Sequence, residues 1–144
     1  IACADLVIAR SNTRFRLSEV RLGLTPATIS PFVVAKIGPS HARRFFTTAE
    51  DIGAEEAVHI GLAHSHTGDA DIQTGRWLTA IDRGAPGAIA DAKALVRDVA
   101  DRPITDELRA LTADRIAARR ASDEGREGLA AFIEKRKPKW APHA

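Results

Sequence analysis

From residue 69 to the end of the chain, apolar side chains recur at three- and four-residue spacing, and this constrains the fold more than any other feature. Ile72, Trp77 and Ile81 make one stripe. Ile89, Ala92, Leu95, Val96 and Val99 make a second, Leu108, Leu111, Thr112 and Ile116 a third, and Leu129, Phe132 and Ile133 a fourth. Breaks fall at Gly84-Ala85-Pro86-Gly87, at Arg102-Pro103 and at Ser122, where Asp123 and Glu124 put negative charge on the first turn that follows. A succession of amphipathic helices is predicted, with more apolar stripe than the short preceding segment can cover, so part of it is expected to pack on another subunit.

Strand signals are confined to the region before residue 69. Leu6-Val7-Ile8-Ala9 is a continuous apolar run with two β-branched residues, the pattern of a strand covered on both faces. Arg14-Phe15-Arg16-Leu17 alternates, predicting a second short strand or extended loop with Phe15 and Leu17 inward. Ser30-Pro31 reads as a cap residue followed by proline at the first helical position, opening a short helix that Gly38 ends; Ser40 caps another containing Phe45 and Phe46. Ala54 to Ile60 forms a third helix before Gly61, and Leu62 to His66 a closing strand. The class is α/β, with this chain mostly helical.

At 144 residues and 15.5 kDa the chain is enough for one ordinary domain, so a two-domain mechanism needs a second polypeptide. No apolar run approaches the roughly 20 residues of a membrane span, and Ile1 to Ala9 lacks the build of a secretory signal. The 21 basic and 19 acidic residues are too evenly matched for nonspecific attraction to nucleic acid. Cys3 has no partner for a disulfide, as expected of a reducing, cytoplasmic setting. The absence of Met, with Ile1 opening what looks like the interior of a buried element, reads as a fragment.

Most chemical motifs fail. Glu56 and His59 share a helical face, and His64 and His66 a strand face, but a Glu-x-x-His pair builds a di-metal site only with a second such pair, so no metal is expected. HExxH, CxxC, a P-loop, GxGxxG and Gly-x-Ser-x-Gly are all missing. The basic end Lys135-Arg136-Lys137-Pro138-Lys139-Trp140 could meet nucleic acid, although a solvated last turn or a contact with a small-molecule phosphate accounts for it better. Glu19 is the carboxylate of interest. It stands among apolar neighbours between a strand and a Gly/Pro-rich turn, where an inward side chain is desolvated and suited to acid/base work; the competing reading is a surface Glu pairing with Arg16 or Arg21.

Five segments in the same order resemble the crotonase (enoyl-CoA hydratase/isomerase) superfamily, and within it the bacterial methylglutaconyl-CoA hydratases. Cys3 to Ala9 resembles an ACDLVIA strand, and Phe15 to Phe32 an F-x-LSEVRLGL-x-PATISPFVV segment. Ala42 to Glu50 is similar to an ARR-x-x-LTAE helix, Ala57 to Leu62 to an A-x-x-x-GL signature, and Glu124 to Trp140 to an EG-x-EGL-x-AF-x-EKR-x-P-x-W ending.

The resemblance implies the closing part of a ββα spiral over residues 1–68, then a helical trimerisation region over 69–144, with the family's N-terminal half missing. That half would hold much of the CoA site and both N–H donors of the oxyanion hole, leaving this fragment inactive alone. Partners implied are an acyl-CoA and copies of the chain in a trimer or a hexamer of two trimers; no cofactor is implied beyond the CoA of the substrate. Glu19 aligns with the downstream catalytic glutamate, and Ala27 after Pro26 with a position whose backbone N–H holds the attacking water. Leu24, Pro26 and Ala27 would line the substrate site. Phe132 and Lys135 match positions that touch the CoA nucleotide of a neighbouring subunit. Arg16 replaces a small residue, and beside the acyl pocket it could pair with the distal carboxylate of a glutaconyl group. The rival readings are a double-bond isomerase sharing Glu19, an RNA-binding protein and a non-catalytic assembly module.

Overall fold

The computed structural model describes residues 1–142, and these divide into two units, Ile1–Gly75 and the residues from Arg76 onward. The first unit contains every strand: β1 (Ile8–Arg10), β2 (Arg14–Phe15), β3 (Ile52–Gly53) and β4 (Ser65–Thr67). β1 pairs in parallel with β4, Ile8 opposite Ser65, while β2 runs antiparallel to β3 with Phe15 opposite Ile52. Each sheet is thus a pair, too small to stand without the helices packed on it.

Those helices are α1 (Ser30–Thr48) and α2 (Ala54–His59). α1 is one run bent at Gly38, whose φ of 75° and ψ of 162° suit a residue without a side chain, and Pro39 restarts the helix. The sequence placed two helices here, divided at the same glycine. Its caps differ, however: Ile29 is the residue before α1, and the Ser30 hydroxyl donates to the Ala27 carbonyl at 2.9 Å instead of capping, while Ser40 lies within the helix. Val33, Ile37, Ala42 and Phe45 of α1 face inward and join Val7, Ala9, Ile52, Ala54, Ala57, Ile60 and Leu62 in one core.

Two expectations for the strands are corrected. The first strand begins two residues later than the apolar run, because parallel pairing with β4 fixes its bounds, and only alternate residues are covered: Val7 and Ala9 are buried while Leu6 is 47% exposed. The closing strand is Ser65–Thr67; Leu62 and Ala63 instead finish the turn after α2, where the Ala63 N–H donates to the Ala57 carbonyl.

The second unit holds α4 (Pro86–Val99), α5 (Asp106–Ala121) and α6 (Asp123–Ile133), preceded in the chain by α3 (Ala70–Ile81). Side-chain caps mark the predicted breaks. Thr105 accepts from the Leu108 N–H, and Ser122 from that of Gly125 at 3.0 Å. Glu124 reaches back to the N-terminus of α4, accepting from the N–H groups of Gly87 and Ala88 at 3.0 and 3.1 Å, and Arg119 bridges Glu124 and Asp91. Val96, Ile116, Phe132 and Ile133 remain exposed. Among the described residues no helix is long and apolar enough to cross a membrane.

Candidate active site

The stretch after β2 is shaped by turns. Leu17 tucks against the core, and Glu19–Leu22 form a single 3₁₀ turn that packs on α1. Gly23, at φ 73° and ψ 17°, closes it: its N–H and that of Leu24 return to the carbonyls of Val20 and Glu19. The Arg21 guanidinium ties the turn to the end of α1 by donating to the Ala49 carbonyl at 2.8 Å. Pro26 is buried, and the segment runs straight into α1 through the Ser30 N–H, which donates to the Pro26 carbonyl at 3.0 Å.

Glu19 is half-buried in this frame, and its Oε2 is the one buried side-chain polar atom among the described residues that finds no hydrogen-bond partner. The two guanidinium groups that sequence offered as partners are engaged elsewhere, Arg21 with Ala49 and Arg16 with Asp51. A dry, unbonded carboxylate oxygen is costly for folding and is the kind of group a reaction can use.

Arg16 donates through Nε to Asp51 Oδ1 at 2.7 Å and through Nη2 to Oδ2 at 2.6 Å. These bonds hold the Asp51 carboxyl below the usual carboxylate range, and the guanidinium correspondingly higher. Arg16 also lines an apolar cavity of about 370 Å³ whose walls include Phe15, Leu17, Phe32, Val33 and Ile52. Glu19 stands outside that lining.

The remaining candidates are placed as follows. Leu24 is exposed beside the 3₁₀ turn. Ala27 is exposed too, and its N–H donates to the Thr25 carbonyl at 2.8 Å, so the group expected to hold water is already used within the turn. Glu19, Leu24, Pro26 and Ala27 thus follow one another on one continuous segment, with Arg16 just ahead of it, and of the five only Arg16 lines the cavity. Phe132 and Lys135 belong to the second unit, both exposed at the end of α6. Lys135 takes the left-handed conformation, φ 55°, that lets the Arg136 N–H return to the Ala131 carbonyl. Phe132 borders a hollow of about 550 Å³ with Leu129, Trp140, Arg83 and Arg136.

The histidine pairs do not assemble. Glu56 is taken by Arg44 at 2.7 Å, His59 lies edge-on to His41, and the His64 Nδ1 accepts from the Val7 N–H at 3.0 Å. Among the described residues no three His, Cys, Asp or Glu side chains come together as metal ligands do. Sequence reasoning missed Asp51, for which no local signal exists: it is 35 positions from Arg16 and has no motif around it.

Three comparisons bear on this geometry. A family model described as enoyl-CoA hydratase/isomerase matches residues 1–143. The crotonyl-CoA hydratase of Syntrophomonas wolfei is 30% identical over 142 residues, covering 94% of this chain and 53% of that protein, and the carnitinyl-CoA dehydratase of Escherichia coli K12 is 28% identical over 143 residues, covering 95% and 55%. The crystal structure of an enoyl-CoA hydratase from Shewanella pealeana superposes with a TM-score of 0.91 at 40% identity, over 96% of this chain and 52% of the other. The chain thus spans about half the length of the relatives it matches.

Proposed function

Since the chain belongs to the enoyl-CoA hydratase/isomerase family and carries part of its α/β crotonase fold, we propose that Glu19 is the proton-handling carboxylate of a hydro-lyase that adds water across the double bond of an α,β-unsaturated acyl-CoA. The observation that carries this reading is the buried, unpartnered Oε2 of Glu19, on a segment of four candidate site residues.

The chemistry follows from where charge develops. Water attacks the β-carbon, and electron density moves to the thioester oxygen as an enolate. A carboxylate orients the water and takes its proton, and a proton is then delivered to the α-carbon. Oε2 of Glu19, free of internal bonds, is the acceptor assigned to the water. With the Ala27 N–H turned to Thr25, water orientation falls to Glu19, and Ala27 serves through the shape of its turn. The enolate needs preorganised N–H donors, which supply the largest electrostatic term in such reactions. We assign those donors to the part of the relatives' length that this chain does not span, and on that reading the chain alone is inactive.

Residues 69–144 are assigned to assembly in a trimer or hexamer, supported by the exposed apolar side chains of α4 to α6. Phe132 and Lys135, both exposed at the end of α6, are assigned to the CoA nucleotide of a neighbouring copy, Phe132 by packing and Lys135 by pairing with phosphate. The sequence resemblance leads to a methylglutaconyl group, which carries a carboxylate, whereas the pairing of Arg16 with Asp51 favours an uncharged acyl chain such as crotonyl, so both are assayed.

The test uses the full-length polypeptide that carries this chain. Loss of conjugated thioester absorbance is followed with both thioesters, and the product mass is checked for one added water. Glu19→Gln is expected to lower kcat by at least about a hundredfold, the lower range for a general acid–base, with KM little changed. Activity like wild type in that variant refutes the assignment; a product of unchanged mass with a shifted double bond makes the enzyme an isomerase.

A further inference from the structure

We propose that Asp51 sets the acyl specificity: it holds Arg16 in a two-bonded ion pair on the wall of the apolar cavity, withholds that cation from a carboxylate on the acyl group, and so restricts the site to uncharged acyl chains. This deepens the hydratase reading and rests on it for the presence of an acyl group at the cavity. The placing is local. Arg16 and Leu17 form one wall and the chain reaches Glu19 two residues later, while Phe32 and Val33 form another wall on α1, the helix against which the Glu19 turn packs.

The charge balance at that wall is specific. Arg16 is the one charged side chain in the lining, and its Nε and Nη2 both donate to Asp51, one to each oxygen. Arg21 and Arg14 keep their charge and add their field at Asp51, but neither lines the cavity, and their guanidinium groups are tied to the Ala49 and Thr13 carbonyls. Asp51, held ionised by Arg16, cancels that cation's charge at the wall. A carboxylate at the far end of an acyl chain would give up its hydration for a neutralised pair whose guanidinium has two of its donors filled. An alkyl end meets Phe15, Leu17, Phe32, Val33 and Ile52, and gains about fourfold in binding for each methylene it buries.

The test measures kcat/KM of the full-length polypeptide for crotonyl-CoA and for glutaconyl-CoA, which adds a terminal carboxylate to the same chain. Wild type, Asp51→Asn, Arg16→Gln and the double variant are compared. Wild type is expected to favour crotonyl-CoA. Asp51→Asn is expected to raise the glutaconyl-to-crotonyl ratio by up to about fivefold, the upper range for a solvent-exposed ion pair, and Arg16→Gln in that background to cancel the rise. Arg16→Gln alone leaves the Asp51 carboxylate without its bonded cation and is expected not to raise the ratio. A ratio unmoved by Asp51→Asn overturns the proposal. So does a wild-type preference for glutaconyl-CoA that Arg16→Gln abolishes, and this arm decides the matter if the Asp51 variant does not fold. An enzyme idle on both thioesters removes the hydratase reading itself, an outcome distinct from an active enzyme whose ratio does not respond.

Discussion

Replacing Glu19 by Leu is expected to make this chain more stable while removing the group assigned to catalysis. The Oε2 atom is buried with no partner, and an orphaned acceptor of this kind costs about 1–3 kcal/mol. Leu has a similar volume and no acceptor. Because the side chain is only half-buried, the extra apolar gain is a fraction of the 1.5–3 kcal/mol of a fully covered Leu, about 1 kcal/mol at most. The Glu19 Oε2 makes no hydrogen bond that the substitution would forfeit. A net gain of about 2 kcal/mol follows, and for a unit the size of Ile1–Gly75 each kcal/mol moves the midpoint by about 4–8 °C, so the transition is expected to rise by about 8–16 °C. The assay is thermal unfolding of this chain followed by helical circular dichroism, with Glu19→Gln beside it. Gln keeps an acceptor and adds a donor, so it is expected to gain little. If Glu19→Leu melts at or below wild type, Oε2 is already hydrated and the reasoning that singles out this acid fails.

Two further perturbations test the units separately. Phe45 is wholly buried beneath the Arg44 guanidinium, which lies 4.6 Å from its ring centre, and Phe45→Ala is expected to cost about 3–5 kcal/mol, read as a lower urea midpoint at unchanged slope. In the second unit, bonds from Arg136, seconded by the Lys139 N–H, hold the Glu127 carboxyl down at about 2. A carboxyl depressed by folding contributes its full stabilisation above the ordinary value of 4.5 and loses it as pH falls toward about 2. Trp140, whose ring lies beside Gly128 of α6 and whose Nε1–H donates to the Arg83 carbonyl, is therefore expected to keep its emission at pH 5 and change it between about 4.5 and 2. Measured in a Trp77→Phe background, the change should shrink in Glu127→Gln; the same profile in both refutes the link.

The helices were legible because their signals are local. Pro86 and Pro103 cannot continue the helix before them, Ser122 caps at its own position, and Gly38 bends α1 where the sequence ended one helix. The strands were less so. An apolar run says that a segment is covered, but the bounds of β1 come from pairing with β4, whose matching residue is Ser65, and β3 is a two-residue pairing that no run of residues announces. Exposure follows the same logic: Leu6 reads as core and stands open, because nothing in the chain's own pattern says which neighbours are within reach.

At the site, residue type carried as far as Glu19 and no further. A carboxylate between apolar neighbours and a glycine turn is recognisable as a candidate, yet whether Arg16 or Arg21 neutralises it depends on where those side chains find better acceptors. Arg21 found a carbonyl at the end of α1, and Arg16 found Asp51 across the β2–β3 pairing, contacts that only the folded chain creates. One ion pair thus has two consequences. It gives Arg16 an acceptor other than Glu19, the partner that the sequence also allows, and by saturating Arg16 it makes the cavity wall neutral. The acid's availability and the acyl preference are therefore not independent, and Asp51→Asn, which frees Arg16, puts both at stake in one substitution.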